Sequence, residues 1–266
     1  PLLHHNPQTV PLSKRDDDNA FVREEMAGYY DEIARADRYI GLVIAALREE
    51  SVLENTLVIV LSDNGSQFGG AKTTLYDDGI KTPLVMRFPR LIPAHIANQQ
   101  LVSAVDLMPT LLALAGLPTV PNTPGVSLLP TLRNPAVPVR DYIYAEKNQH
   151  GQPHFSRAVR TKSFLYKRNF RNRKLCDPNA DMIFDPTPPR GTHFAELYDL
   201  KKDPGQSHNL LQDIKYRESR MALRAIMKKI MAETPPQKIP PFVMEHCEKR
   251  PWFERIRWPF SPPEDE

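Results

Sequence analysis

An aspartate and an asparagine stand side by side where the apolar run Thr56-Leu57-Val58-Ile59-Val60-Leu61 breaks into Ser62-Asp63-Asn64-Gly65. A carboxylate beside a carboxamide offers hard oxygen donors, the kind that Ca²⁺ and Mg²⁺ prefer. Lys72 follows 8 residues after Asn64, within Gly69-Gly70-Ala71-Lys72-Thr73-Thr74-Leu75-Tyr76-Asp77-Asp78-Gly79-Ile80. An ammonium next to a divalent cation makes a doubly positive pocket for an oxyanion. Spacing alone does not choose this reading. Asp-Asn-Gly is also ordinary turn chemistry, and a loop lysine is ordinarily solvated.

The elements around these residues are those of a layered α/β domain. Apolar positions Met26, Tyr29, Ile33, Ile40, Val43, Ile44 and Leu47 recur on a helical period, so a helix is expected over about residues 20–50. The continuous β-branched run at 56–61 fits a strand covered on both faces, the parallel-sheet type. Its C-terminal end is where sites gather in open α/β sheets. A second strand is expected over 83–88. A helix is expected over 106–116, with Asp106 where an N-terminal cap belongs and Gly116 where a C-terminal one does.

Beyond a Pro-rich connection the pattern shifts to short, partly alternating runs at 142–145, 156–160, 164–167 and 195–200, as in antiparallel strands. A helix follows over about 213–233, with Met221, Leu223, Ile226, Met227 and Ile230 expected inward. A Pro- and aromatic-rich tail, 235–266, is expected to wrap the surface, with Trp252 and Trp258 as packing anchors. Two domains are read from this, 1–135 and 136–266.

Taken together, these motifs resemble the sulfatase family. The Ser-Asp-Asn-Gly turn pairs with Lys72-Thr73-Thr74-Leu75-Tyr76-Asp77, Gly79-Ile80 and Thr82-Pro83. Tyr30, Ile33, Asp37 and Gly41 match the family helix before the metal strand. Val102, Asp106, Leu107, Pro109, Thr110 and Gly116 match its D-x-x-P-T helix, and Gly125-Val126-Ser127-Leu128 the turn after it. Glu196-Leu197-Tyr198-Asp199-Leu200, Asp203-Pro204 and Asn209-Leu210 match a strand and loop near the family's C-terminus. Residues 20–235 carry the resemblance, which is closest to the heparan N-sulfatase (sulfamidase) branch.

The resemblance implies an alkaline-phosphatase-like α/β fold, present here as its C-terminal part, with a smaller antiparallel α+β subdomain. It implies hydrolysis of a sulfuric ester or sulfamate on sulfated carbohydrate. Asp63 and Asn64 match the later pair of Ca²⁺ ligands, with Mg²⁺ as the other hard cation. Lys72 matches the lysine on the sulfate group. Glu146, Gln149, His150, His154 and Arg157 fall where the sulfamidase branch places residues near the sugar, and His150 is the one expected to bind substrate. It also suggests a periplasmic, secreted or lysosomal compartment.

The departures are equally specific. The family nucleophile is a formylglycine made within Cys-x-Pro-Ser-Arg, and neither Cys176 nor Cys247 has that context. It is expected upstream, in a remaining N-terminal part of the sulfatase, since the chain opens on Pro1 rather than Met. This chain alone is therefore expected to be inactive. The earlier Asp-Asp metal pair has no match, because Asp16-Asp17-Asp18 lies in a polar segment. His4 and His5 lie near the place of a sulfate-contacting histidine, but their neighbours do not match its motif. Two rival readings are a sulfatase-like module that holds sulfated glycans without cutting them, and a superfamily phosphodiesterase.

Bulk properties narrow the partners. Lys and Arg number 35 against 32 Asp and Glu, a net charge of +3 that argues against nucleic acid or an anionic membrane as the main partner. Lys167, Arg168, Arg171, Arg173 and Lys174 form a local basic run, read as solvated surface. No stretch reaches the roughly 18 apolar residues of a membrane span. A Cys176–Cys247 disulfide is possible but nothing requires it.

Overall fold

Asn19 starts the first helix by accepting the Val22 N–H on its side chain at 3.0 Å, the bond an N-cap residue supplies. Helix α1 then runs Ala20–Glu49. The computed structural model describes residues 4–12, 16–68, 71–150, 152–170 and 194–233, with only the backbone described at 149–150 and 152–154. Cys176, Cys247, Arg171, Arg173, Lys174, Trp252 and Trp258 lie outside the described residues. The chain divides into two compact units, Pro1–Ile143 and Tyr144–Glu266.

In the first unit, α1 is followed by strand β1 (Val58–Leu61), the short helix α2 (Asp77–Ile80) and strand β2 (Leu84–Arg87). Helices α3 (Leu107–Leu114) and α4 (Leu129–Arg133) complete it. The expectation of a parallel, doubly covered strand needs correcting. β1 pairs with β2 antiparallel, Val58 opposite Arg87 and Leu61 opposite Leu84. The chain between them folds back on itself, with the Gly65 N–H donating to the Gly79 carbonyl, so Leu84 re-enters beside Leu61 and β2 returns along β1. Leu61 and Val85 are 49% and 61% exposed, so this pair is open to solvent. Likewise α1 has the expected period, yet Ile33 and Val43 on its apolar stripe are exposed.

What holds this unit together is local. Val10, Met26 and Ala27 form a buried cluster, with Leu12, Tyr29, Tyr30 and Phe68 packed against it. Phe68 meets Tyr29 edge-on at 5.4 Å between ring centres, which fastens the loop after β1 to α1.

A second knot lies at Asp106, and it corrects the reading of that residue as the cap of α3. The Asp106 side chain makes no capping bond to α3. It accepts the Ser103 N–H at 2.9 Å, closing a capping box on the 3₁₀ turn before α3, and the Val126 N–H at 2.8 Å. The Arg140 guanidinium grips it with two further bonds, from Nε at 2.7 Å and from Nη2. Thr110 Oγ1 donates to the Asp106 carbonyl and accepts the Leu128 N–H at 2.8 Å. The acid, the threonine and the segment after Gly125 are thus one hydrogen-bonded knot, and Asp106 is fully buried within it. Gly116, at φ +70°, ends α3 in a Schellman motif, with Leu117 N–H to Leu112 O at 2.9 Å and Gly116 N–H to Ala113 O at 3.3 Å.

The second unit is a four-stranded sheet in the order β3 (Ile143–His150), β4 (Gln152–Arg160), β5 (Phe164–Phe170), β6 (Ala195–Asp199), followed by helix α5 (Arg217–Glu233). β4 to β6 pair antiparallel, with Val159 opposite Tyr166 and Tyr166 opposite Leu197. That apolar row is buried, and α5, whose Leu223 and Met227 are buried, packs on β4 and β5. The opposite face is buried too and carries polar groups, Ser156, Asn169, Lys167 and Glu196, among the apolar Ala158 and Leu165. Both faces of these strands are therefore covered, and their alternation does not separate inside from outside. Met221, expected inward on α5, is exposed. It lies two residues before Leu223, about 200° around the helix, and such positions do not share a face.

Asn209 extends the sheet edge. Its Oδ1 accepts the Leu197 and Leu211 N–H groups, each at 3.0 Å, and its Nδ2 donates to the Ala195 carbonyl. Asp203 ties off the loop before it, accepting the Ser207 and His208 N–H groups at 2.7 and 2.8 Å.

Candidate active-site turn and lysine loop

Ser62-Asp63-Asn64-Gly65 sits directly at the C-terminal end of β1. Ser62 Oγ donates to the Asn64 carbonyl at 2.8 Å and so tightens the turn. Asn64 Nδ2 donates to the Gly65 carbonyl at 2.8 Å, which leaves its Oδ1 for another partner. Asp63 is exposed, and among the described residues its carboxylate has no hydrogen-bond or ion-pair partner. Two hard oxygen donors are therefore available side by side.

Gly65 joins this turn to the lysine loop. Its N–H donates to the Gly79 carbonyl at 3.1 Å, and a Cβ placed on Gly65 would lie 1.8 Å from the Asp78 carbonyl oxygen. No side chain fits there. Gly79 is as tightly enclosed, with Ala71 O at 2.4 Å and Thr74 O at 2.5 Å from its notional Cβ. The Lys72 N–H closes the loop from the other side, donating to the Ser66 carbonyl at 2.7 Å.

Inside the loop, Ala71 and Leu75 are buried while Lys72 between them is exposed. The Thr74 N–H and Oγ1 both reach the Ala71 carbonyl, at 3.0 and 2.7 Å, and make residues 71–74 a β-turn. Lys72 stands at its corner. Among the described residues its ammonium has no ion-pair partner. A positive charge and two oxygen donors are thus carried on loops fastened backbone to backbone.

A Ca²⁺ ion takes roughly 6–8 oxygens. Among the described residues no group of three or more His, Cys, Asp or Glu is gathered as a metal site would need. Asp63 and Asn64 fit a part of such a site. Asp18 is engaged elsewhere: Arg23 holds it at 2.5 Å, and this pairing lowers its pKa. His4 and His5 both turn to Asp31 on α1, at 3.2 and 2.8 Å, and His5 lies 5.5 Å from the Tyr30 ring. Those bonds, the His5 ones foremost, lower the Asp31 pKa.

In the second unit His150 ends β3, and its side chain, like those of Gln149 and His154, lies outside the described residues. Arg157 is buried, and its Nε stands 3.3 Å from Glu146. Tyr144 OH donates to the same carboxylate at 3.4 Å. Burial pushes the Tyr144 phenol up to about 12, against the opposing pull of Arg157. The sequence gives no spacing signature for the Gly65–Gly79 contact, nor for Tyr144 as the partner that joins Glu146 and Arg157.

Residues 4–117 match the sulfatase family model, and residues 70–183 match the model of the N-sulphoglucosamine sulphohydrolase C-terminal region. The chain belongs to the sulfatase family, and what it carries is the C-terminal portion. It is 31% identical over 216 residues to an ulvan-active sulfatase of Formosa agariphila, covering 75% of this chain and 42% of that protein. It is 30% identical over 247 residues to the human N-sulphoglucosamine sulphohydrolase, covering 80% of this chain and 48% of that protein. A protein solved with its substrate D-glucosamine-2-N,6-O-disulfate superposes with a TM-score of 0.65 at 22% identity, over 83% of this chain and 44% of the other. The chain thus spans less than half the length of these relatives. The fold is the alkaline-phosphatase-like α/β fold of sulfatases.

Proposed function

We propose that the whole protein is a hydrolase of sulfuric esters or sulfamates on a sulfated carbohydrate, and that this chain supplies half of its site. The observation that carries this reading is the backbone stitching of the Ser62–Gly65 turn to the Lys72 loop. It keeps two hard oxygen donors and a positive charge on adjoining segments, which suits a metal-assisted oxyanion site. Asp63 and Asn64 donate to Ca²⁺, or to Mg²⁺ in its place, and the bound cation supplies charge neutralisation at the sulfuryl oxygens. Lys72 contacts the sulfate group and stabilises the charge that shifts onto its oxygens during attack. His150 contacts the sugar from the end of β3. The formylglycine nucleophile belongs to the remaining N-terminal part of the sulfatase. Residues 1–135 serve as the C-terminal part of the catalytic α/β domain and 136–266 as its antiparallel subdomain.

The ulvan-active and N-sulphoglucosamine relatives, and the neighbour solved with a sulfated glucosamine, support a sulfated carbohydrate as substrate. The exposed Ile33, Tyr39, Leu42 and Val43 on α1, with Leu61 and Val85 on the β1–β2 pair, support a surface that the remaining part covers.

The test is an assay of the full-length protein against glucosamine-N-sulfate and an aryl sulfate, with and without a chelator. Turnover that falls on Ca²⁺ removal and on Asp63→Ala is expected. Binding of sulfated glycan without turnover would replace this reading with a non-catalytic module. Faster turnover of a phosphodiester than of any sulfate would replace it with the phosphodiesterase one.

A further inference from the structure

Thr73 has a φ of +73°. It is the third residue of the Ala71–Thr74 turn, and a positive φ there marks a type II turn, which calls for Gly or Asn at that position. A β-branched residue in the left-handed region is a genuine outlier. Such outliers persist only where the surroundings impose them, and they gather at binding sites. Here the surroundings do impose it. The Ala71 carbonyl is held twice by Thr74, and Gly79 packs into the same turn. Those constraints would be met more easily by glycine. They therefore explain the backbone but not the side chain.

The side chain is left with a hydroxyl. Thr74 next to it spends its own hydroxyl on closing the turn. The half-buried Thr73 has no hydrogen-bond partner among the described residues. It adjoins Lys72 at the turn's corner.

We propose that Thr73 is a further substrate-contact residue, whose hydroxyl donates to the same oxyanion that Lys72 holds. This rests on the proposed role of Lys72. A compact ammonium fixes charge but not orientation, since its donors rotate. A hydroxyl on a locked, branched side chain adds one directed donor, and a hydrogen bond to a charged group is worth about 10-fold or more in affinity.

The experiment measures binding of inorganic sulfate to the full-length protein by calorimetry, alongside melting temperature. Thr73→Gly suits the positive φ and removes the hydroxyl; sulfate binding is expected to weaken by about 10-fold while the melting temperature holds or rises. Thr73→Val keeps the branch and should weaken binding equally, and Thr73→Ser should rescue most of it. If Thr73→Gly and Thr73→Val bind sulfate like wild type while Lys72→Ala does not, the inference is overturned and the role of Lys72 stands. If Lys72→Ala also binds like wild type, or wild type binds no sulfate, the reading of the loop itself fails and takes the inference with it.

Discussion

Two sets of charges in this protein look alike in the sequence and behave oppositely in the fold. Asp63 and Lys72 are exposed and have no ion-pair partners among the described residues. Asp106 with Arg140, and Lys167 with Glu196, are largely buried and densely hydrogen bonded. Glu196 receives Lys167 Nζ at 2.9 Å, Tyr198 OH at 2.7 Å and Asn169 Nδ2 at 3.4 Å. A buried charge whose bonds are all satisfied locally has nothing left to offer a ligand, whereas an exposed one held on a rigid loop does. The difference separates residues that maintain the fold from residues free to do chemistry.

The sharpest way to break the comparison is Asp106→Ala. It would strand the Arg140 guanidinium and the Ser103 and Val126 N–H groups, and losing one partner of a buried pair costs about 3–5 kcal/mol. A drop in melting temperature of about 10 °C is expected by calorimetry. A drop of only a degree or two would mean the knot is dispensable.

Lys72→Ala should do the reverse. Removing an exposed loop side chain should leave the melting temperature near wild type. Removing one preorganised donor to a developing charge should cut the full-length enzyme's turnover about 10²–10³-fold, or roughly 3–4 kcal/mol. Lys72→Arg should recover only part of this, because a planar fork does not replace a compact ammonium. Undiminished turnover in Lys72→Ala would mean that the lysine is not at the sulfate and that the match of its loop to the family is structural only.

The smallest effect tests the second unit. The phenol of Tyr144 is raised by burial to about 12, so the folded state favours its neutral form. The stability it contributes is present below the unfolded value near 10 and is lost as the pH climbs through the folded one. Ultraviolet titration should find one tyrosine ionising near pH 12 that disappears in Tyr144→Phe. If the difference spectrum ionises near pH 10 instead, Tyr144 is not shielded.

Helical and strand periods announced α1, β1, β2, α3 and α5, because those elements are set by local patterning. They did not reveal what Asp106 does. Its partner Arg140 lies 34 residues further on, and an acid before a helix reads as a cap whether or not a guanidinium arrives later. Nor could they show that β4 to β6 bury polar groups such as Asn169 and Glu196, since alternation looks the same when the polar side is covered. Asp63, Asn64 and Lys72 stood out through resemblance and not through spacing, which left the ordinary-turn reading open. The left-handed φ of Thr73 had no sequence signal, because nothing about a threonine announces a turn position that prefers glycine.

The contact between Gly65 and Gly79 has a practical reading for anyone redesigning this protein. The two segments are fastened like the teeth of a zip, so a cassette exchange between homologous enzymes should transplant residues 62–80 whole. Swapping either half alone would put a recipient's loop against a foreign partner at a spacing of atoms with no slack. Substitutions within the stretch are best directed at Gln67 and Asp78, whose side chains are exposed, with both glycines left in place.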